Sequence, residues 1–338
     1  MKLAIVGAGA IGGCLGGWLS QHYDDVYLLD QGEVAQGLKD HGLTLYRQGD
    51  EQHPDHVPVK VIDSLTEAGQ PDAVVLAVKN YSLDDAARSA AAQIGGDTLV
   101  IGLQNGIVNQ TVLPRYFNRV IYGIIEFNAW IDEPGVIGYQ QKGPFVFGTT
   151  EGGPQDQLET LRAYIDPAVP VVVTDRIRDA VYSKMIINLT NSYTTLVGFK
   201  FRPIESMIYF KKTLSNSLYE GVQIARAAGV KEFRAGDIPS WRKIWASAKL
   251  PDAITMGIFK KSLDKMVLSS MAQDVLQRHS GVSELDSLLG HFVRLAEQHG
   301  VAAPYNKTIY RLCRQEFSKP DFVPLTEAEV WQEIQRAS

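Results

Sequence analysis

The stretch Leu3-Ala4-Ile5-Val6-Gly7-Ala8-Gly9-Ala10-Ile11-Gly12 constrains this chain more than any other. An apolar, partly β-branched run leads straight into a G-x-G-x-x-G spacing that opens a helical pattern, and that setting separates a dinucleotide fingerprint from a chance run of glycines. Gly7 permits the tight turn, Gly9 lets the backbone approach a pyrophosphate, and Gly12 allows close packing of helix on strand. The helix start, with Ala10 and Ile11, offers free N–H groups to phosphate oxygens. A second strand, Val26-Tyr27-Leu28-Leu29, then ends on Asp30, close to the ~20-residue spacing at which such units place a carboxylate on the adenosine ribose. The expectation is a Rossmann-type α/β unit that binds NAD(H) or NADP(H). Asp30 would repel a 2′-phosphate and Gln31 lacks the fork that Arg gives one, so the local chemistry favours NAD(H). Lys39 is the nearest downstream cation that could soften this.

With 338 residues the chain exceeds the roughly 250–300 at which a single core stops growing, so two domains are expected. Up to about residue 150, β-rich runs at 2–6, Val26–Leu29, 73–78, 98–102 and Val120–Ile125 alternate with helical stretches, the pattern of a parallel sheet. Short strands at 137–139 and 145–147 read as an antiparallel addition, followed by a run at 171–174. Beyond that, apolar spacing of three and four predicts helices over 177–197, 213–228, 263–276, 283–299 and 305–316, with 319–338 as a tail or C-terminal helix. The boundary falls near residue 175, giving a dinucleotide-binding domain over 1–175 and an all-helical substrate domain over 176–338.

The net charge of −5 argues against a nucleic-acid partner, and no apolar run approaches the ~18–20 residues of a membrane span. Cys14 and Cys313 are too few for a disulfide framework, which fits a reducing cytoplasm. The seven histidines show no paired ligand spacing, so no metal centre is expected.

Three segments draw attention as chemistry. Val78-Lys79-Asn80 and Leu103-Gln104-Asn105-Gly106 end predicted strands of the Rossmann sheet, where the nicotinamide half of a cofactor lies. Tyr182-Ser183-Lys184-Met185-Ile186-Ile187-Asn188 begins the second domain, and the four-residue spacing puts Lys184 and Asn188 on one helical face. Reduction of a ketone needs such a cation, because the carbonyl oxygen gains negative charge as hydride reaches carbon and must be protonated.

Together with Asn109, Ser269-Ser270-Met271-x-Gln273-Asp274, and Ser283-Glu284-Leu285-Asp286 with Gly290, these segments resemble the ketopantoate reductase family, the NADPH-dependent 2-dehydropantoate 2-reductases of pantothenate biosynthesis. The resemblance runs over nearly the whole chain. It implies Lys184 as general acid, and Glu284 as the group that binds the substrate hydroxyl or holds Lys184. It implies Asn188 and Ser270 as substrate ligands, and Lys79 and Asn105 as lining for nicotinamide and ribose, with Asn105 also within reach of substrate. Plain alternatives stand beside these roles: Glu284 as a helix N-terminal carboxylate, Ser270 as a packing residue, Asn105-Gly106 as a turn.

Three departures bear on substrate and cofactor. Ser192, a further substrate-binding candidate, stands where the family places a second substrate-binding Asn, with Asn191 one position early. The stretch from Asp274 to Glu284 is about two residues longer than the family's and holds His279-Ser280-Gly281. Asp30-Gln31 replaces a neutral residue followed by Arg. The implied activity is reduction of a small 2-oxo acid, ketopantoate first, with a homodimer as one candidate assembly. A relative acting on another keto acid or on an imine, as opine-type dehydrogenases do, and a nicotinamide sensor without turnover are the competing readings.

Overall fold

The apolar run before the first glycine becomes β1 (Leu3–Val6), buried along its whole length, as a strand covered on both faces must be. A computed structural model describes residues 1–236, 238–278 and 283–337. The chain divides into two compact units, Met1–Val181 and Tyr182–Ser338.

In the first unit β1 is followed by β2 (Val26–Leu29), β3 (Leu43–Arg47), β4 (Asp55–Val57), β5 (Lys60–Ile62), β6 (Ala73–Leu76), β7 (Leu99–Gly102) and β8 (Val120–Ile125). Then come β9 (Ala129–Glu133), β10 (Val136–Tyr139), β11 (Phe145–Gly148) and β12 (Val171–Val173). The helices between them are α1 (Ala10–Ser20), α2 (Gly32–His41), α3 (Leu83–Ile94), α4 (Val108–Val112) and α5 (Gln155–Ile165). Eight strands form one sheet in the order β12-β11-β8-β7-β6-β1-β2-β5, parallel except where β11 runs against β8. The order reverses direction beside β1, the switch point at which an open α/β sheet binds its ligands.

Four more strands form a second sheet, β4-β3-β10-β9. The glycines of α1 explain its place: Gly16 abuts Leu28 of the large sheet, while Gly13 and Gly17 abut Ile137 and Leu45 of the small one. Any Cβ at Gly13 would lie 2.3 Å from the Ile137 side chain, so the helix can fit between two sheets only because these positions are bare. The fingerprint helix is thereby held on both sides. The strands at 137–139 and 145–147 do not form one antiparallel addition: β10 pairs parallel with β3 in the small sheet, and β11 joins the large one.

The second unit is helical. It contains most of α6 (Ile177–Leu196), then α7 (Met207–Ala227), α8 (Trp241–Lys249), α9 (Asp252–Leu263) and the single turn α10 (Ser270–Ala272), which continues as a π-helix over Gln273–Gln277. α11 (Leu289–Gln298), α12 (Pro304–Phe317) and α13 (Glu327–Ala337) complete it. Two buried carboxylates cap helices other than their own. Glu220 of α7 accepts from the Tyr305 and Asn306 N–H groups at the start of α12, and Glu327 of α13 accepts from the Glu205 and Ser206 N–H groups before α7.

Two predicted helices are replaced by shorter pieces. The helix over 263–276 does not exist as a unit: α9 ends at Leu263, and the Ser269 hydroxyl accepts from the Ala272 N–H to start a new turn. The helix over 283–299 begins only at Leu289. Before it, Ser283 Oγ accepts from the Leu285 N–H, and the Glu284 carbonyl accepts from both Ser287 Oγ and the Leu288 N–H, so a hydrogen-bonded turn precedes the helix. The His279-Ser280-Gly281 stretch lies outside the described residues.

Candidate active site

The first unit assembles its candidates at the carboxyl ends of three adjacent strands, β7, β6 and β1. Gly7 has φ +94°, a conformation that costs a glycine little, and a Cβ there would lie 2.9 Å from the Val78 backbone nitrogen. A Cβ on Gly12 would sit 1.9 Å from the Gly7 carbonyl oxygen, so only glycine lets α1 begin this close to β1. Gly9 is the N-cap of α1, and no side chain of its own covers the N–H groups of the first turn. Gly7, Gly9, Ala10 and Ile11 are half-buried, whereas Ala8 and Gly12 are buried. A bare turn, a bare N-cap and an uncapped helix start fit a dinucleotide pyrophosphate.

Asp30 ends β2 and has two structural contacts: Oδ2 accepts from the Ala8 N–H at 2.6 Å and Oδ1 from the Gln31 N–H at 2.7 Å. The carboxylate therefore braces the glycine loop, and each oxygen retains a lone pair for a further donor. Lys39, the cation that could have served a 2′-phosphate, is engaged by both oxygens of Asp63 at 2.7 Å.

Lys79 and Asn105 are half-buried on the loops after β6 and β7. Asn80 Nδ2 donates to the Asn105 carbonyl at 2.8 Å, tying the two loops. The residue that organises them is Gln104, to which no role was assigned from sequence. Buried at the end of β7, its Nε2 donates to the Leu76 carbonyl at 2.7 Å and the Val78 carbonyl at 3.0 Å. Two facing carbonyls admit only the nitrogen, so the amide's orientation follows from its surroundings. The signal in the sequence was a polar side chain at the end of a strand that is otherwise wholly apolar.

In the second unit Lys184 and Asn188 share one face of α6, Lys184 half-buried and Asn188 buried. Further along, Thr195 Oγ1 lies 3.4 Å from Ser269 Oγ, which brings the half-buried Ser270 to the end of the same helix. Glu284 is buried, in the turn before α11. It does not open a helix, so its reading as an N-terminal helix carboxylate is corrected: the dipole it would have served begins at Leu289. Tyr182, two residues before Lys184, holds its hydroxyl 3.0 Å from His291 Nε2 of α11, so the start of α6 and the start of α11 are joined. Burial brings the His291 pKa down to about 4, with Arg294 adding to the effect, and the ring is neutral at physiological pH. Ser192 differs from the others. It is 0% exposed, and its carbonyl accepts from Cys313 of α12.

Both units match models of one family: residues 3–152 match "Ketopantoate reductase PanE/ApbA" and residues 176–316 match "Ketopantoate reductase PanE/ApbA C terminal". The chain belongs to the ketopantoate reductase family. A family relative, the 2-dehydropantoate 2-reductase of Pyrococcus abyssi, is 27% identical over 318 residues, 93% of this chain and 97% of that one. Among solved structures, a PanE/ApbA family ketopantoate reductase from Ralstonia eutropha JMP134 has a TM-score of 0.74 at 26% identity, covering 95% of this chain and 99% of its own. The ternary structure of a D-mandelate dehydrogenase with NADH and anilino(oxo)acetate has a TM-score of 0.78 at 21% identity, covering 96% and 100%, a likeness of fold.

Proposed function

We propose that this chain is a nicotinamide-dependent ketopantoate reductase of the cytoplasm, acting in pantothenate biosynthesis. The observation that carries this reading is that the family match extends over both units, so the cofactor loop and the Lys184 helix are inherited together. When bound, a reduced nicotinamide supplies the hydride. The glycine loop and the start of α1 hold its pyrophosphate, and Lys79 and Asn105 line its nicotinamide ribose. The 2-oxo acid is held by Asn188 and by Ser270 with the amides of its turn. Lys184 Nζ gives its proton to the carbonyl oxygen as the carbonyl carbon takes up hydride, so a ketone becomes a secondary alcohol. Glu284 binds the substrate's hydroxyl or holds Lys184.

NADH is the cofactor we propose over NADPH. Asp30 stands at the ribose position with its charge, Gln31 offers no fork, and Lys39 is already paired with Asp63. A second reading, a family member acting on another 2-oxo acid, is favoured by the burial of Ser192, because the pocket then lacks a ligand at that position. We also propose a homodimer, for which the exposed Trp245, Ile254 and Ile258 offer apolar surface and which sedimentation tests.

Loss of reduced-cofactor absorbance against a panel of 2-oxo acids tests the reading. Turnover of ketopantoate well above every other acid is expected. Preference for another acid selects the second reading, and silence on the whole panel refutes both.

A further inference from the structure

Gly9, Gly13 and Gly17 stand four residues apart, on one side of α1 and its N-cap. Each is left bare against a different strand of the small sheet: Gly17 against Leu45 of β3, Gly13 against Ile137 of β10, and Gly9 against Ile131 of β9. These strands are consecutive in that sheet, and Ile131 and Ile137 are register partners on one face of it. The face runs along α1 to the glycine loop and ends there on Ile131.

The contact at Gly9 is looser than the other two. A Cβ on Gly13 or Gly17 would lie 2.3 Å from Ile137 or 2.6 Å from Leu45, whereas one on Gly9 would find Ile131 Cδ1 at 3.9 Å. Apart from the chain neighbours of Gly9, no other atom of the described residues comes within 4 Å of that point. Neither packing nor its φ of −66° therefore calls for glycine at this position. Close approach of a pyrophosphate does, and the space such a group enters is flanked by the half-buried Ile131.

We infer that the small sheet is part of the cofactor site, and that Ile131 of β9 covers the bound pyrophosphate. An isoleucine offers phosphate oxygens no hydrogen bond. It displaces water beside them, so the N–H groups at the start of α1 act through a lower local dielectric. NAD(H) and NADP(H) share the pyrophosphate, so the inference rests on the dinucleotide reading above and not on the choice between the two.

Dissociation constants test this, read by fluorescence for whichever reduced dinucleotide binds more tightly, and by its displacement for ADP and adenosine. ADP keeps the pyrophosphate and adenosine lacks it. Ile131→Ala should weaken the dinucleotide and ADP about fivefold, the loss of one to two methylene equivalents of apolar cover, and leave adenosine within about twofold. Ile131→Lys and Ile131→Glu lose the same cover but carry opposite charges, on stems long enough to keep the charge in water. The dinucleotide should bind Ile131→Lys at least about tenfold more tightly than Ile131→Glu at low salt, and the gap should narrow at ~1 M salt. An isoleucine that only propped the loop would cost both charged variants the same affinity. That result, adenosine weakened as much as ADP, or Ile131→Ala binding as the wild type does would overturn the inference and leave the dinucleotide reading intact. A wild type that binds neither reduced dinucleotide nor ADP would overturn both.

Discussion

Changing Asp30 to Asn separates two duties that the structure places on one side chain. The carboxylate braces the glycine loop through the Ala8 N–H at 2.6 Å, and it also presents negative charge where the adenosine ribose is expected. Asp30→Ala would delete both, so a fall in activity would be uninterpretable. Asp30→Asn retains an acceptor for the Ala8 N–H and removes the charge, together with the acceptor that serves the Gln31 N–H. Two unit charges about 4 Å apart repel by about 1 kcal/mol in water and about 4 kcal/mol at the effective dielectric of a protein surface. Asp30 is half-buried, between those limits, and the range corresponds to a relative gain for NADPH of about fivefold to several hundredfold. Adding Gln31→Arg supplies a bidentate partner for the phosphate and should widen the shift. The assay is the ratio of kcat/KM with NADPH to that with NADH, compared between wild type and variants, so that any general damage to the loop cancels. A wild type that prefers NADPH at least tenfold, or a ratio that Asp30→Asn leaves unmoved, would refute the argument. Asp30 would then serve the loop alone.

Lys184→Ala should lower kcat by about 10²–10⁴-fold while the dissociation constant for NADH, read by fluorescence, stays put. Retained turnover, or a loss of cofactor affinity instead, would show that the ammonium is not the proton donor. Gln104→Glu sets a carboxylate against the Leu76 and Val78 carbonyls and should weaken NADH binding at least about tenfold. Affinity for ADP, which lacks both the nicotinamide and its ribose, should not change, and equal weakening of both ligands counts against a role at Lys79 and Asn105. Desolvation pushes the Glu220 pKa up to about 7, above its ordinary value, despite the N–H groups of Tyr305 and Asn306 that oppose it. Such a group favours the folded state fully below about pH 4.5 and loses that contribution as pH rises through 7, by roughly 3 kcal/mol in all. Urea unfolding of wild type and Glu220→Gln across that window should therefore diverge in slope, and parallel curves would rule the assignment out.

The sheet-forming half was legible where one element's own residues decide its state. β1 and β8 are apolar, partly β-branched runs buried along their length, β2 is an apolar run with alternate residues buried, and the fingerprint announces α1 by itself. The small sheet was not, because its strands are short and carry polar or exposed residues such as Asp55, His56, Asp132 and Glu133. Its central pairing also joins β3 to β10, some ninety residues apart in the chain. No local pattern encodes a partner that distant. What the sequence did hold was the double pair of glycines, Gly12-Gly13 and Gly16-Gly17. Only the second sheet gives a reason for glycine on the outer side of that helix.

The stretch from Leu263 to Leu289 shows how a periodic pattern can mislead about structure. Apolar residues at helical spacing were present, but Ser269, Ser283 and Ser287 each spend a hydroxyl on backbone groups, and each such bond makes a turn as good as a helix locally. The consequence for Glu284 is direct. Placed at a helix start, its carboxylate could have been explained by the macrodipole, with no reference to chemistry. Placed in a turn and buried, it has no such explanation, and a buried carboxylate is tolerated only where it is paired or hydrogen-bonded. The Tyr182–His291 contact joins the helix after Glu284 to the start of α6, the helix that carries Lys184. The turn that defeated the helix prediction thus weighs against the macrodipole as the reason for a carboxylate at Glu284.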